Sequence, residues 1–103
     1  MEKLPKEFKK KWVAALRSGK YKQARGVLYD EYNKGYCCLG VSGKVCGYPD
    51  SELKTEFFRF GFDQIPQILK GDCYTNPIVE GLTDLNDDMI PFEIIAGVVN
   101  EWL

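Results

Sequence analysis

Apolar residues recur at spacings of three and four in two stretches, one near each end of the chain, and both predict helices. In the first, Phe8, Trp12, Ala15 and Leu16 fall on one face, with Lys9, Lys10 and Arg17 off it. Leu4-Pro5 opens this stretch: proline suits a first helical turn, and Leu4 can staple onto it. Gly19 is a natural stop, so the predicted helix covers residues 5–18. In the second, Pro91 sits at a helix start, and Phe92, Ile95, Ala96, Val99 and Leu103 come after it at helical spacing.

The pattern between them is shorter and more broken. Residues 20–26 read as a cationic loop or a strand lead-in. Residues 27–32 are β-prone, Asn33-Lys34-Gly35 is a turn signal, and Tyr36 to Cys38 should pair back as a hairpin. Residues 39–46 could extend that strand, but Cys38, Val41 and Val45 share a helical face, which favours a short helix stopped by Gly47. Tyr48-Pro49-Asp50-Ser51 reads as a loop. Residues 52–62, with Phe57, Phe58, Phe60 and Phe62, fit a strand better than a helix. Ile65 to Leu69 suits one helical turn ended by Gly71. Asn76-Pro77 breaks the chain, and Thr83 reads as the N-cap of a short helix through Asp88. The expected architecture is α+β: an N-terminal helix, a central β-hairpin or small antiparallel sheet, and a C-terminal amphipathic helix, all within one domain spanning 1–103.

Composition agrees with a folded domain. Apolar residues make up 45% of the 103 and aromatics 14%, enough for a core. No apolar run approaches the roughly 18 residues of a membrane span, and the N-terminal residues lack a secretory pattern. The expectation is a cytoplasmic protein with no membrane partner.

The four cysteines, Cys37, Cys38, Cys46 and Cys73, match no C-x-x-C spacing. They read as small buried hydrophobes, in preference to a zinc site or a disulfide framework. The chain has no histidine. Serine–histidine and cysteine–histidine nucleophiles are therefore excluded, as are histidine general bases. The sequence displays no catalytic apparatus and calls for no cofactor; the expectation is a protein that is not an enzyme.

The net charge of −1 conceals an asymmetry. Residues 1–25 carry nine cations against two anions, and no cation follows Lys70, where seven carboxylates lie. Such a distribution fits an anionic ligand at one end, or two halves that attract each other.

Two stretches carry a resemblance. Residues 12–26 read Trp-Val-Ala-Ala-Leu-Arg-Ser-Gly-Lys-Tyr-Lys-Gln-Ala-Arg-Gly, and residues 36–41 read Tyr-Cys-Cys-Leu-Gly-Val. Together they resemble small bacteriophage proteins with W-x-x-A-L-R-S-G-x-Y-x-Q, then a hairpin, then Y-C-C-L-G-V. Such proteins often end with a segment similar to Leu82-Thr83-Asp84-Leu85-Asn86-Asp87 and a helix like Phe92 to Leu103. Ile90-Pro91 stands here in place of a serine-like cap. The resemblance implies a phage origin, and hence the host bacterial cytoplasm, but no reaction.

The sharpest candidate site is the segment Arg17, Ser18, Lys20, Tyr21, Gln23 and Arg25. Arginine offers planar paired donors to phosphate, the flanking glycines let backbone amides approach a ligand, Tyr21 can stack on a base, and Gln23 can read its edge. The structural alternative pairs Arg17 and Arg25 with the acidic half, spends Gln23 on a buried backbone group and places Tyr21 in the core. Lys9-Lys10-Lys11 could touch nucleic-acid phosphates, or form the solvated back of the first helix. Residues 82–102 do not make a helix-turn-helix, since the second helix carries Glu93 and Glu101 and no cation; its apolar stripe suits the core or a homodimer contact. Asp84, Asn86, Asp87 and Asp88 lack the spacing of a calcium loop, and no metal site is expected.

These features suggest a small phage accessory protein that binds an anionic ligand without catalysis. The first candidate is a cyclic nucleotide immune signal sequestered as by a sponge, by analogy only, with the site shared across a homo-oligomer. The alternatives are inhibition of a host protein through the acidic C-terminal half, and nucleic-acid binding through the lysines of the first helix.

Overall fold

The computed structural model describes residues 3–54, 59–60, 64–72 and 74–103, without the side chains of 59, 60 and 72. The fold is α+β, with a helix near each end and a small sheet between them.

The first helix, α1 (Lys6–Arg17), follows Pro5 and buries Trp12, Val13 and Leu16. Phe8 and Ala15 are only partly covered, so the buried stripe runs through Val13 instead of Ala15. Trp12 is fully enclosed, and its indole Nε1 donates to the carbonyl of Cys38 at 3.0 Å. The buried ring thus has the polar partner that enclosure demands. Gly19 ends the helix as expected, at a φ of 74° that favours glycine.

The central sheet is mixed. Strand β2 (Tyr29–Asp30) and β3 (Gly35–Tyr36) form the expected hairpin, with Tyr29 opposite Tyr36. Strand β1 (Lys22–Gln23) joins the other edge of β3 in parallel, with Gln23 opposite Tyr36. A parallel neighbour needs a long connection, and residues 24–34 supply it.

The hairpin limb stops sooner than the sequence implied. Cys37 leaves the strand and caps α2 (Cys38–Val45), its sulfur accepting from the Gly40 amide at 3.4 Å. Residues 39–46 are therefore helical, as their periodicity favoured. This helix is buried on several sides: Cys38, Val41 and Ser42 are fully enclosed. Its glycines admit close neighbours, and a Cβ at Gly40 would collide with the Leu28 carbonyl oxygen.

Three further expectations are corrected. Asp50 and Ser51 belong to a helical turn, α3 (Asp50–Leu53), which follows Pro49 and seats Leu53 in the core. Of the proposed strand at 52–62, residues 52 and 53 are in that turn, and among the described residues β4 (Arg59–Phe60) is a strand, paired antiparallel with β5 (Gly71–Asp72). Phe57, Phe58, Phe62 and Cys73 lie outside the described residues. Gln67–Leu69 forms the expected single turn.

The third correction is larger. Thr83 is not an N-cap, because α4 spans Pro77–Asp87 and starts one proline earlier. Asn76 caps it, accepting from the amides of Ile78 (2.9 Å) and Val79 (3.3 Å). The Asn76 amide also donates to the carbonyls of Ile68 and Lys70. The chain break at Asn76-Pro77 is thus the beginning of a helix, with proline in the first turn.

The last helix, α5 (Phe92–Trp102), follows Pro91 and buries Phe92, Ile95, Ala96 and Val99. It packs along α1, and its end meets the start of the chain. The Leu4 amide donates to the Leu103 carbonyl at 3.0 Å, and Lys3 Nζ to the Trp102 carbonyl at 3.1 Å. No described helix is long and apolar enough to cross a membrane.

Candidate functional site

The six residues expected to gather around a ligand are distributed among different tasks. Ser18 is bound to backbone: its hydroxyl donates to the Ala15 carbonyl at 2.7 Å and accepts from the Lys20 amide at 3.1 Å. Tyr21 is half-buried and stands edge-on to Tyr36, ring centres 5.3 Å apart. Lys20 Nζ lies 5.9 Å from the centre of the Tyr21 ring, within range of a weak cation–π contact. Gln23 donates to the Ile90 carbonyl at 2.8 Å and to Asn86 Oδ1 at 3.2 Å. Arg25 reaches the Asp87 carbonyl at 3.5 Å, while the carboxylate of Asp87 accepts from the Gly26 amide at 3.0 Å. Gln23 and Tyr21 are thus engaged as the structural alternative foresaw.

Arg17 is different. It is exposed in the last turn of α1 and forms no ion pair among the described residues. It lines an open groove of about 600 Å³ with Lys6, Lys9, Lys10, Val13, Ala14 and, from α5, Asn100. At 100° and 1.5 Å per residue, Lys6, Lys10 and Arg17 fall within an arc of about 40° and extend over roughly 16 Å. Val13 and Ala14 form an apolar floor between them, Lys9 stands on the core side, and among the described residues no carboxylate lines the groove. Lys6 and Lys9 lie in the first turn of α1, where the helix dipole disfavours positive charge. That arrangement is mildly unfavourable for the isolated fold and favourable for an anion. Of the lysine run Lys9 to Lys11, only Lys9 and Lys10 belong to this surface.

The thiols among the described residues and the Tyr36 hydroxyl sit elsewhere. Burial pushes the Cys37 thiol up to about 11 and the Cys38 thiol well above its ordinary value. Burial also raises Cys46. The Tyr36 hydroxyl is driven above its ordinary range by burial and by the Asp50 carboxylate, to which it donates at 2.7 Å. Partial burial pushes the Asp50 carboxyl up, but hydrogen bonds from Tyr36 and Lys44 outweigh it and hold it below the usual range. Lys44 lies 3.1 Å from Asp50, so this trio ties β3, α2 and α3 together.

The residue that sequence reading missed is Asn86, fully enclosed on α4. Its Oδ1 accepts from the Cys38 amide at 3.1 Å and from Gln23, and its Nδ2 donates to the Ala24 carbonyl at 2.6 Å. One amide thus joins α4 to the strand region and to the first turn of α2. The available signal was a polar residue on an apolar face: Val79, Leu82 and Asn86 share one side of α4. Starting the helix at Thr83 hid that face.

Residues 12–26 and 36–41 contact one another directly and through α4. Trp12 meets Cys38, Tyr21 meets Tyr36, and Gln23 meets Asn86, which holds Cys38. Arg17, in contrast, is left to solvent.

Residues 4–49, under half of the chain, match the model of a family described as a Domain of unknown function (DUF8296). Comparison with the curated proteins and with the solved structures found no match.

Proposed function

We propose that this chain is a non-catalytic binding module whose α1 groove takes the phosphate backbone of a nucleic acid, without reading its bases. The observation that carries the reading is the row of Lys6, Lys9, Lys10 and Arg17 over an apolar floor, with no carboxylate among them. Cations in a line suit a polyanion. The groove lining offers no aromatic ring on which a base could stack, which favours contact with phosphates alone. The protonated thiols and the carboxylate-bound Tyr36 support a module without chemistry of its own. The setting suggested by the sequence resemblance is accessory to a bacteriophage in its host's cytoplasm.

The test is fluorescence anisotropy with labelled 20-nucleotide single-stranded and duplex DNA. Four phosphate contacts predict a log–log salt slope of about −2.8 for single strands and about −3.6 for duplex. Affinity should fall about 50- to 150-fold between 50 and 200 mM salt. Lys10→Glu with Arg17→Glu, both at exposed positions, should abolish binding without altering the circular dichroism. Binding that survives this double reversal overturns the reading.

A second reading, sequestration of a cyclic nucleotide, is favoured by Lys20 over Tyr21, three and four positions beyond the exposed Arg17 in the sequence. It predicts capture of a cyclic nucleotide and its intact release on heating, with loss of capture in Arg17→Ala and Tyr21→Ala.

A further inference from the structure

On α5, Ile94, Val98 and Trp102 follow one another at intervals of four and so share one side of the helix. The buried set Phe92, Ile95, Ala96 and Val99 lies on another side, against α1 and α4. Ile94 is left 57% exposed and Trp102 69%, with Val98 half-buried between them. The row is about 12 Å long, two turns of helix. Lone exposed apolar residues are ordinary on protein surfaces, but here they are aligned, and the row ends on a tryptophan, the side chain most enriched at binding hot spots.

Trp102 is also held. Its own carbonyl accepts from Lys3 Nζ, and the next carbonyl from the Leu4 amide. The last turn is pinned at both groups, which lowers the ordering cost of using Trp102 as an anchor.

The charges around the row indicate its occupant. Glu93 and Glu101, both exposed, precede Ile94 and Trp102 in the sequence, and α5 carries no cation of its own; Lys3 reaches the end of the row, where its ammonium is bound to the Trp102 carbonyl. A second copy docked antiparallel through this row would bring Glu93 of one chain toward Glu101 of the other, a pairing of like charges. A partner with an apolar ridge and a cationic rim meets no such penalty.

We propose that the Ile94–Val98–Trp102 face of α5 binds an amphipathic helical segment of another protein, with an apolar ridge flanked by lysine or arginine. This surface is separate from the cationic groove of α1 and does not depend on the function proposed for it.

The test uses an 18-residue amphipathic helical peptide of leucine and lysine, alongside a scrambled peptide of the same composition and one of leucine and glutamate. Trp12 is fully enclosed, so a change in tryptophan emission on binding reports Trp102. Saturable binding of the leucine–lysine helix is expected, with a blue shift of that emission and no response to the other two peptides. Ile94→Gln with Trp102→Gln should weaken binding at least tenfold, read by anisotropy of a labelled peptide. Glu93→Lys with Glu101→Lys should do the same while leaving both aromatic and aliphatic contacts in place. All four positions are exposed, and circular dichroism checks that each variant is folded. Absence of saturable binding, or equal binding by the folded variants, overturns the proposal. Sedimentation as a dimer that Ile94→Gln with Trp102→Gln dissolves would assign the face to a second copy instead, and would overturn it too.

Discussion

Replacing Asn86 by alanine should destabilise the protein more than any exposed substitution. The change leaves two enclosed backbone groups without partners: the Cys38 amide, which donates to Oδ1 at 3.1 Å, and the Ala24 carbonyl, which accepts from Nδ2 at 2.6 Å. Gln23 is spared, since it keeps the Ile90 carbonyl at 2.8 Å. An orphaned buried polar group costs about 1–3 kcal/mol, so two cost about 2–6 kcal/mol. Water entering the vacated space recovers part of this, and the expected loss is about 3 kcal/mol. That is a large share of the roughly 5–15 kcal/mol that holds a typical domain. It corresponds to a fall in melting temperature of about 12–24 °C. Urea unfolding followed by the emission of enclosed Trp12 measures it, with Asn100→Ala, exposed on α5, as a control expected within about 0.5 kcal/mol of the parent. A double-mutant cycle with Gln23→Ala should show non-additivity of at least about 0.5 kcal/mol. A loss below about 1 kcal/mol for Asn86→Ala would refute the reasoning, because the three segments would then be joined by something other than this amide.

Two further predictions concern α2. Gly40→Ala should abolish soluble folded protein or lower its melting temperature by more than 12 °C, since the added methyl collides with the Leu28 carbonyl and overpacking costs about 1–3 kcal/mol even where neighbours can yield; a melting curve unchanged within 2 °C would refute the close approach. Stability should also fall in alkali. The Cys37 thiol ionises near 9.0 when unfolded and at about 11 when folded, so between those values the unfolded chain binds fewer protons and stability drops by about 1.4 kcal/mol per pH unit. The contribution is fully present below pH 9. Urea midpoints at pH 8 and 10.5 measure the drop, and Cys37→Ser, which keeps a capping oxygen and removes one ionisation, should make it smaller without abolishing it, because the raised Cys38 and Cys46 thiols act in the same direction.

Regular periodicity made the two long terminal helices legible. Burial of one face imposes that period, and the prolines and Gly19 mark the ends. The helix at 38–45 was legible more faintly, because it is covered on several sides and loses the contrast between faces. The features that could not be read depended on distant contacts. The parallel addition of β1 rests on two residues whose partners lie thirteen positions away. Asn76-Pro77 has the composition of a break, although the asparagine caps α4. At the candidate site, Arg17 stands exposed, but its companions are Lys6, Lys9 and Lys10 instead of Lys20 to Arg25. Helical spacing places the first set beside it. Tyr21 and Gln23 have the chemistry to recognise a ligand and equally the chemistry to bond the fold, and only the positions of Tyr36, Ile90 and Asn86 decide between the two uses.

The bond from Leu4 to Leu103 has a kinetic consequence. It joins positions 99 apart in sequence, so the pairing of α1 with α5 carries a loop-closure entropy of about 4 kcal/mol before any contact repays it. This pairing is among the least local in the chain, and least local contacts slow folding most. A circular permutant that links the two ends and opens the chain in the turn at Tyr32, 91% exposed, would turn that pairing into a neighbour contact. It would also make the β2–β3 hairpin, closed across that turn, the long-range pairing, so the connectivity decides which contact bears the closure entropy while the packed end state stays the same.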